Sequence, residues 1–225
     1  SEHTVEGVHA TLCTILSDAM EGGFLDHNPA WRTYRYAGKK KEKVIADEAT
    51  TQRLIAALEE ESLKYETYFK LIIATGMRRG ELLALRWDDL DFATGKLRID
   101  KQFCPVGGKL IVSEPKTKAA NRAIILPPAM LEVLAEYKKG IFSDLMFPSR
   151  IKPDQPIDPG YVRKRLQVIL KRAGCKSVRF HDLRHTFATM SLENEMDVKT
   201  LSAIIGHVSS ATNLTNDIYV KYIRK

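Results

Sequence analysis

Cysteine is scarce in this chain of 225 residues. There are three, Cys13, Cys104 and Cys175, odd in number, far apart and without a C-x-x-C pair. That argues against a disulfide framework and a thiolate metal site, and it fits a reducing cytosol; the expected role is as buried structural thiols. Long apolar runs are missing too. None approaches the roughly 20 residues that cross a bilayer, and the start carries no signal-peptide pattern. No segment repeats and none is of low complexity, which sets aside solenoid arrays and biased tracts. An acidic excess is absent as well: 35 Lys and Arg face 28 Asp and Glu, a formal charge of +7. A balance of this sign suits a polyanionic partner, nucleic acid first and an anionic membrane surface second.

What is present is mainly helical patterning, and 44% hydrophobic residues suffice for one good-sized core. Val5, Val8, Leu12, Ile15, Leu16 and Ala19 recur on one face over residues 4–20. The Asn-Pro of "DHNPAW" breaks that helix. "YAGKKKEKV" follows and reads as a solvated basic linker, with Lys39, Lys40 and Lys41 as candidates to lie along a DNA backbone. "ADEATTQRLIAALEEE" opens on capping residues and continues in helix formers. "YETYFKLIIATG" puts Tyr65, Tyr68, Phe69, Ile72 and Ile73 on one stripe that stops at Gly76. Residues 96–127 are β-rich and punctuated by glycine and proline, which predicts three short strands. Helices resume near Pro128. Val162, Leu166, Ile169 and Leu170 form one apolar face, with Arg163, Lys164, Lys171 and Arg172 off it, and "DVKTLSAIIGH" is a further helix stopped by Gly206. The expected fold class is mainly α with a small antiparallel three-stranded β-sheet, an α+β arrangement. A helical remnant at 1–36 and a basic linker at 37–43 precede the main domain at 44–225.

Four clusters can carry chemistry. In "RFHDLRHTFAT", positions three apart on a helix share a face, so His181 and Arg184 are neighbours and His185 lies one position round. Arginine offers a planar fork for two phosphate oxygens, and histidine moves protons near neutral pH. Taken alone, an H-x-x-R pair is more often a polar helix start. In "IATGMRRGELLALRWDDLD", Arg78 follows a packed helix at once and Glu81 is placed to brace it; Arg79 and Arg86 read as surface charges, Arg79 also as a DNA contact. In "SEPKTKAANRAIILP", Lys116 and Lys118 sit in a turn between strands, where lysine is ordinarily solvated but can deliver a proton if its pKa is lowered. In "LSAIIGHVSSATNLTNDIYVKY", His207 follows a helix-ending glycine, and Tyr219 and Tyr222 come after it. A tyrosine there is usually packing, and becomes a nucleophile where a base and a cationic pocket serve it.

The order Arg, Lys, His-x-x-Arg, His, Tyr resembles the tyrosine recombinase family, the phage and transposon integrases. "TGMRRGELLALRWDDLD", "PKTK", "FHDLRHTFAT" and "IIGH" each look like that family's boxes, over about residues 44–222. The wording looks closest to integrases of conjugative transposons and phages of Gram-positive bacteria. The resemblance implies the catalytic-domain fold of that family at 44–225. It makes residues 1–36 the end of a core-binding helical domain, most of which this chain would lack. It also implies roles. Tyr219 would attack a DNA phosphate to give a 3′-phosphotyrosyl bond and a free 5′-hydroxyl. Arg78 and Arg184 would clamp the non-bridging oxygens, Lys116 would protonate the leaving oxygen, His181 would assist proton transfer, and His207 would donate a further hydrogen bond. Glu81 would support Arg78, and Lys118 would meet the DNA backbone. No cofactor, ATP or metal is implied. The implied partners are double-stranded attachment-site DNA, further copies forming a dimer or tetramer on it, and a helper excision or DNA-bending protein, in the cytoplasm of a bacterium at its nucleoid.

Two departures from the family pattern stand out. Tyr219 falls twelve residues after His207 and Tyr222 fifteen, where nine or ten is usual, so both tyrosines stay in play with Tyr219 preferred. Six residues follow Tyr219, fewer than the docking helix of many family members needs. Two other functions fit the same residues: type IB topoisomerase-like relaxation, and a catalytically idle DNA-binding regulator.

Overall fold

The computed structural model describes residues 2–31, 33, 48–113 and 121–206. The chain divides into two compact units, Ser1–Lys43 and Val44–Lys225. Among the described residues no helix is long and apolar enough to cross a membrane.

The first unit is helix α1 (Glu2–Glu21) and a loop folded back on it. Asn28 is buried, and its amide donates to the Cys13 carbonyl at 2.8 Å and to Ser17 Oγ at 2.9 Å while its own oxygen accepts from the Ala30 N–H at 2.9 Å. The "NPA" turn is therefore held by one side chain that satisfies buried polar groups on both sides. The apolar stripe expected on this helix is present, but Val5, Val8, Leu12 and Ile15 are exposed.

The second unit is built round α3. Helices α2 (Glu48–Leu58) and α3 (Leu63–Thr75) are followed by the short α4 (Arg79–Ala84). On α3, Tyr68, Phe69, Leu71 and Ile72 are fully buried, and the Tyr68 ring meets Phe147 edge-on at 4.9 Å. The described residues of segment 96–127 hold four strands, where its pattern predicts three. Strands β1 (Leu90–Asp91), β2 (Lys96–Ile99) and β5 (Arg122–Ile125) make an antiparallel three-stranded sheet in the order β1-β2-β5. Strands β3 (Gln102–Val106) and β4 (Lys109–Ser113) form a separate hairpin. Its turn is Gly107–Gly108, both at positive φ, which suits a two-residue hairpin turn and closes the additional pair. Leu97, Ile99 and Ile124 alternate into the core.

Four further helices are described in this unit: α5 (Pro128–Lys138), α6 (Pro159–Arg172), α7 (Phe180–Glu193) and α8 (Val198–Ile205). Their starts follow elementary capping. Asp158 accepts from the Tyr161 N–H at 2.7 Å, and Asp197 from the Thr200 N–H at 2.9 Å. Val162, Leu166, Ile169 and Leu170 of α6 are buried as their spacing predicts. Arg172, off that face, is no loose surface charge: with Arg165 it pairs with buried Glu61, at 2.9 and 2.6 Å, and ties α6 to the α2–α3 corner. The cysteines are free but half-buried rather than fully buried; Cys13 lies mid-helix against His9 and Cys104 mid-strand against Ser113.

Candidate active site

The site begins where α3 stops. Gly76 is left-handed, with φ 59°, and its N–H still reaches the Ile72 carbonyl at 2.9 Å. A Cβ there would lie 2.4 Å from the Phe187 ring, so both backbone and space demand glycine. Two residues on, Arg78 caps α4. The Glu81 carboxylate accepts from the Arg78 backbone N–H at 2.8 Å and from its guanidinium at 2.8 Å. The bracing read from the i,i+3 spacing is thus in place. Glu81 is buried, which alone would raise its pKa; the hydrogen bonds and charge of Arg122, then those of Arg78, outweigh burial and hold it below the usual carboxylate range.

Helix α7 supplies the next pair. His181 lies exposed on its first turn, and Arg184, three residues on, runs inward and is 1% exposed. The Arg184 guanidinium donates to the Gly76 carbonyl at 2.8 Å and to the Ile205 carbonyl at 2.5 Å. Among the described residues no carboxylate forms an ion pair with it. Desolvation, and then the charge of Arg78, pull its pKa down to about 9, which leaves it charged at neutral pH. His181 is lowered too, first by desolvation and then by Arg184, so its imidazole is biased toward the neutral form. His185 is buried behind it, edge-on to the His181 ring at 5.0 Å, as a packing role requires.

The third contributor is the C-terminus of α8. Leu201 and Ile205 bury this helix against Ala188 and Leu192 of α7. It ends at Gly206, left-handed with φ 67°. Its last three carbonyls each accept from a different arginine: Ile204 from Arg122 at 2.5 Å, Ile205 from Arg184 at 2.5 Å, and Gly206 from Arg78 at 3.4 Å. Carbonyls at a helix C-terminus lack intrahelical partners and carry the negative end of the dipole, so they suit cations. Arg122 also forks onto Glu81, at 3.1 and 2.9 Å. Two guanidiniums therefore share one carboxylate, a third sits on the same helix end, and the formal balance of the cluster is positive.

Arg122 is the residue that sequence reasoning missed. A signal was present: on β5 it alternates with Ile124, whose face is buried, so its side chain shares the inward face. Arg79 is exposed beside the cluster, its guanidinium 5.9 Å from the Phe180 ring centroid. With Lys109 it lines a groove of about 340 Å³ between α4, the β3–β4 hairpin and the start of α6. Lys39, Lys40, Lys41, Lys116, Lys118, His207, Tyr219 and Tyr222 lie outside the described residues. Among the described residues no three His, Cys, Asp or Glu side chains gather as metal ligands would.

Chemically, the arrangement suits an anion. An arginine has five N–H donors. Arg78 and Arg184 each spend two on the hydrogen bonds just described. What remains, in a partly desolvated site with a histidine at its edge, suits a phosphoryl group gaining charge.

This geometry agrees with what the chain is similar to. The sequence profile of the Phage integrase family matches residues 45–222, and the chain belongs to that family, the tyrosine recombinases. It is 29% identical to the tyrosine recombinase XerC-like protein of Caldanaerobacter subterraneus subsp. tengcongensis, over all of this chain and 64% of that one. It is 24% identical to the ICEBs1 integrase of Bacillus subtilis, over 97% of this chain and 61% of that one. The chain thus spans about three fifths of the length of these relatives. Among solved structures, the Tn1549 transposon integrase in complex with a circular intermediate DNA superposes with a TM-score of 0.82 at 20% identity, covering 99% of this chain and 78% of that one. A lambda integrase dimer bound to a COC′ core site gives 0.66 at 20%, covering 93% and 58%. The fold is accordingly that of a tyrosine recombinase catalytic domain, mainly helical with small antiparallel sheets.

Proposed function

We propose that this chain is the DNA-cutting part of a site-specific recombinase that integrates or excises a mobile element. The observation that carries the reading is the convergence of Arg78, Arg122 and Arg184 on one helix end, the first two sharing the Glu81 carboxylate, with His181 beside them. In this reading Tyr219 Oη attacks the scissile phosphorus and its proton passes to His181. The P–O5′ bond breaks, and the departing 5′ oxygen takes a proton from Lys116. Arg78 and Arg184 hold the non-bridging oxygens, and His207 adds a hydrogen bond. The 3′-phosphotyrosyl bond keeps the phosphodiester energy, so rejoining by a 5′-hydroxyl reverses the step without ATP. Residues 44–225 are the catalytic domain, 1–36 the end of a core-binding domain, and Lys39, Lys40, Lys41, Arg79 and Lys118 are backbone contacts. The DNA-bound dimer and Holliday-junction tetramer of lambda integrase support assembly of copies on duplex DNA, with a helper excision or DNA-bending protein as a further partner. The setting is the bacterial cytoplasm, at the nucleoid.

The test is a duplex bearing the element's end sequence, nicked so that cleavage releases a short fragment. Wild-type protein gives an SDS-resistant, protease-sensitive adduct, and Tyr219→Phe abolishes it. Loss with Tyr222→Phe alone moves the nucleophile to Tyr222. No adduct on DNA that the protein binds overturns the reading in favour of a DNA-binding regulator, and plasmid relaxation without strand exchange overturns it in favour of a topoisomerase.

A further inference from the structure

The Arg122 side chain is 6% exposed and lies among the groups that surround Arg78 and Glu81. Its Nε–H donates to the Ile204 carbonyl at 2.5 Å, and its two terminal nitrogens take one Glu81 oxygen each. A Cβ on Gly206 would come within 2.8 Å of its Nη1, so Gly206 packs closely on this guanidinium. Glu81 in turn holds both the backbone and the side chain of Arg78. Arg78 is the open member of the set, with 38% of its side chain exposed. The buried pair thus sits behind an exposed arginine and is bonded to it through Glu81.

We propose that Arg122 is a positioning residue: through the Glu81 carboxylate and the end of α8 it fixes the Arg78 guanidinium for the scissile phosphate, an inference that rests on the recombinase reading above. The physical argument concerns geometry and charge together. With Arg122 removed, Glu81 keeps one cationic partner instead of two and loses its bidentate fork. Its carboxylate is then free to draw Arg78 inward, and the α8 end loses the donor on Ile204. A displacement of about 1 Å in a phosphate-holding group costs on the order of 10²-fold in rate.

The experiment uses the nicked duplex in single-turnover form, with wild type, Arg122→Met, Arg122→Lys, Arg78→Ala and the double variant Arg78→Ala/Arg122→Met. Each is run on an ordinary scissile phosphate and on one replaced by a methylphosphonate, which lacks one negative oxygen and needs less cationic help. The expected result is a loss of on the order of 10²-fold for Arg122→Met, little further loss when it is added to Arg78→Ala, and a much smaller deficit on the methylphosphonate. Arg122→Lys, which keeps the charge but not the fork, falls between. Additive losses in the double variant, or equal deficits on both substrates, overturn the proposal and leave Arg122 a folding residue. Should Arg122→Met not fold, Arg122→Lys alone, read on the two substrates, decides the matter. Absence of any adduct with wild type is a different result: it overturns the recombinase reading itself.

Discussion

Two helix starts in this molecule are written the same way and do different work. At α4, Arg78 caps the helix and Glu81 at the third position accepts its backbone N–H and its guanidinium. At α7, Arg179 caps and Asp182 does the same, at 3.0 Å from the backbone and 3.0 and 3.2 Å from the guanidinium. The local chemistry of R-x-x-E and R-x-x-D is one capping arrangement. What separates them is the surroundings. Glu81 also carries the Arg122 fork, with Arg184 nearby, whereas the charged partner found for Asp182 is Arg179, whose side chain is 75% exposed. The first pair is loaded with cations and joins a positively charged cluster; the second closes a helix end.

The strongest way to break this comparison is to truncate the two acids. Glu81→Ala leaves buried Arg122 without its carboxylate, and breaking a buried pair costs about 3–5 kcal/mol. Asp182→Ala removes a cap and an exposed partner, at about 1 kcal/mol. Urea titration of both variants should show the first cost clearly larger; equal costs would mean that the surroundings add nothing. Acid unfolding gives the same distinction. The folded pKa of Glu81 is depressed, so its contribution is fully present above the ordinary carboxylate value and is lost as pH falls through the lowered one. Glu81→Gln should therefore flatten the acid limb of the stability curve.

A smaller effect separates the two starts by chemistry rather than stability. His181 follows the second start, yet desolvation and the charges of Arg184, Arg179 and Arg78 lower its pKa, against the opposing pull of Asp182. A neutral imidazole accepts a proton, so adduct formation should fall only on the acid side of the ordinary value of 6.5. His181→Gln should slow cleavage by about 10²-fold and remove that limb. A limb that persists in His181→Gln would assign the titration to another group.

Legibility from sequence follows distance along the chain. Gly76 as a helix stop, Glu81 beneath Arg78, and the shared face of His181 and Arg184 are all one-turn relations, and spacing alone reveals them. Helices α5 and α8 are readable for the same reason: Pro128 opens one and Gly206 closes the other. Arg122 is not readable this way, because its partners Glu81 and Ile204 lie 41 and 82 positions off. The same holds for the sheet. A strand count over 96–127 sees turns, but the pairing of β2 with β5 leaps over the whole β3–β4 hairpin. The apolar stripe of α1 is legible as a stripe, while its exposure is a property of what surrounds it.

The smallest expected effect is the sharpest. Arg179→Ala deletes the guanidinium but keeps the backbone N–H that Asp182 accepts, so the cap survives. What is lost is an ion pair with an exposed partner, worth about 0–1 kcal/mol. Adduct formation at neutral pH should match wild type. One trace should remain: the charge of Arg179 helps to lower His181, so its removal lets the His181 pKa rise and moves the acid limb slightly toward neutrality. A loss of cleavage as deep as that of Arg78→Ala would place Arg179 on the phosphate as well and make the two helix starts functional equals. A shift of the acid limb with no loss at its plateau would instead separate them cleanly, one arginine holding the phosphate and the other only colouring the field round its neighbour.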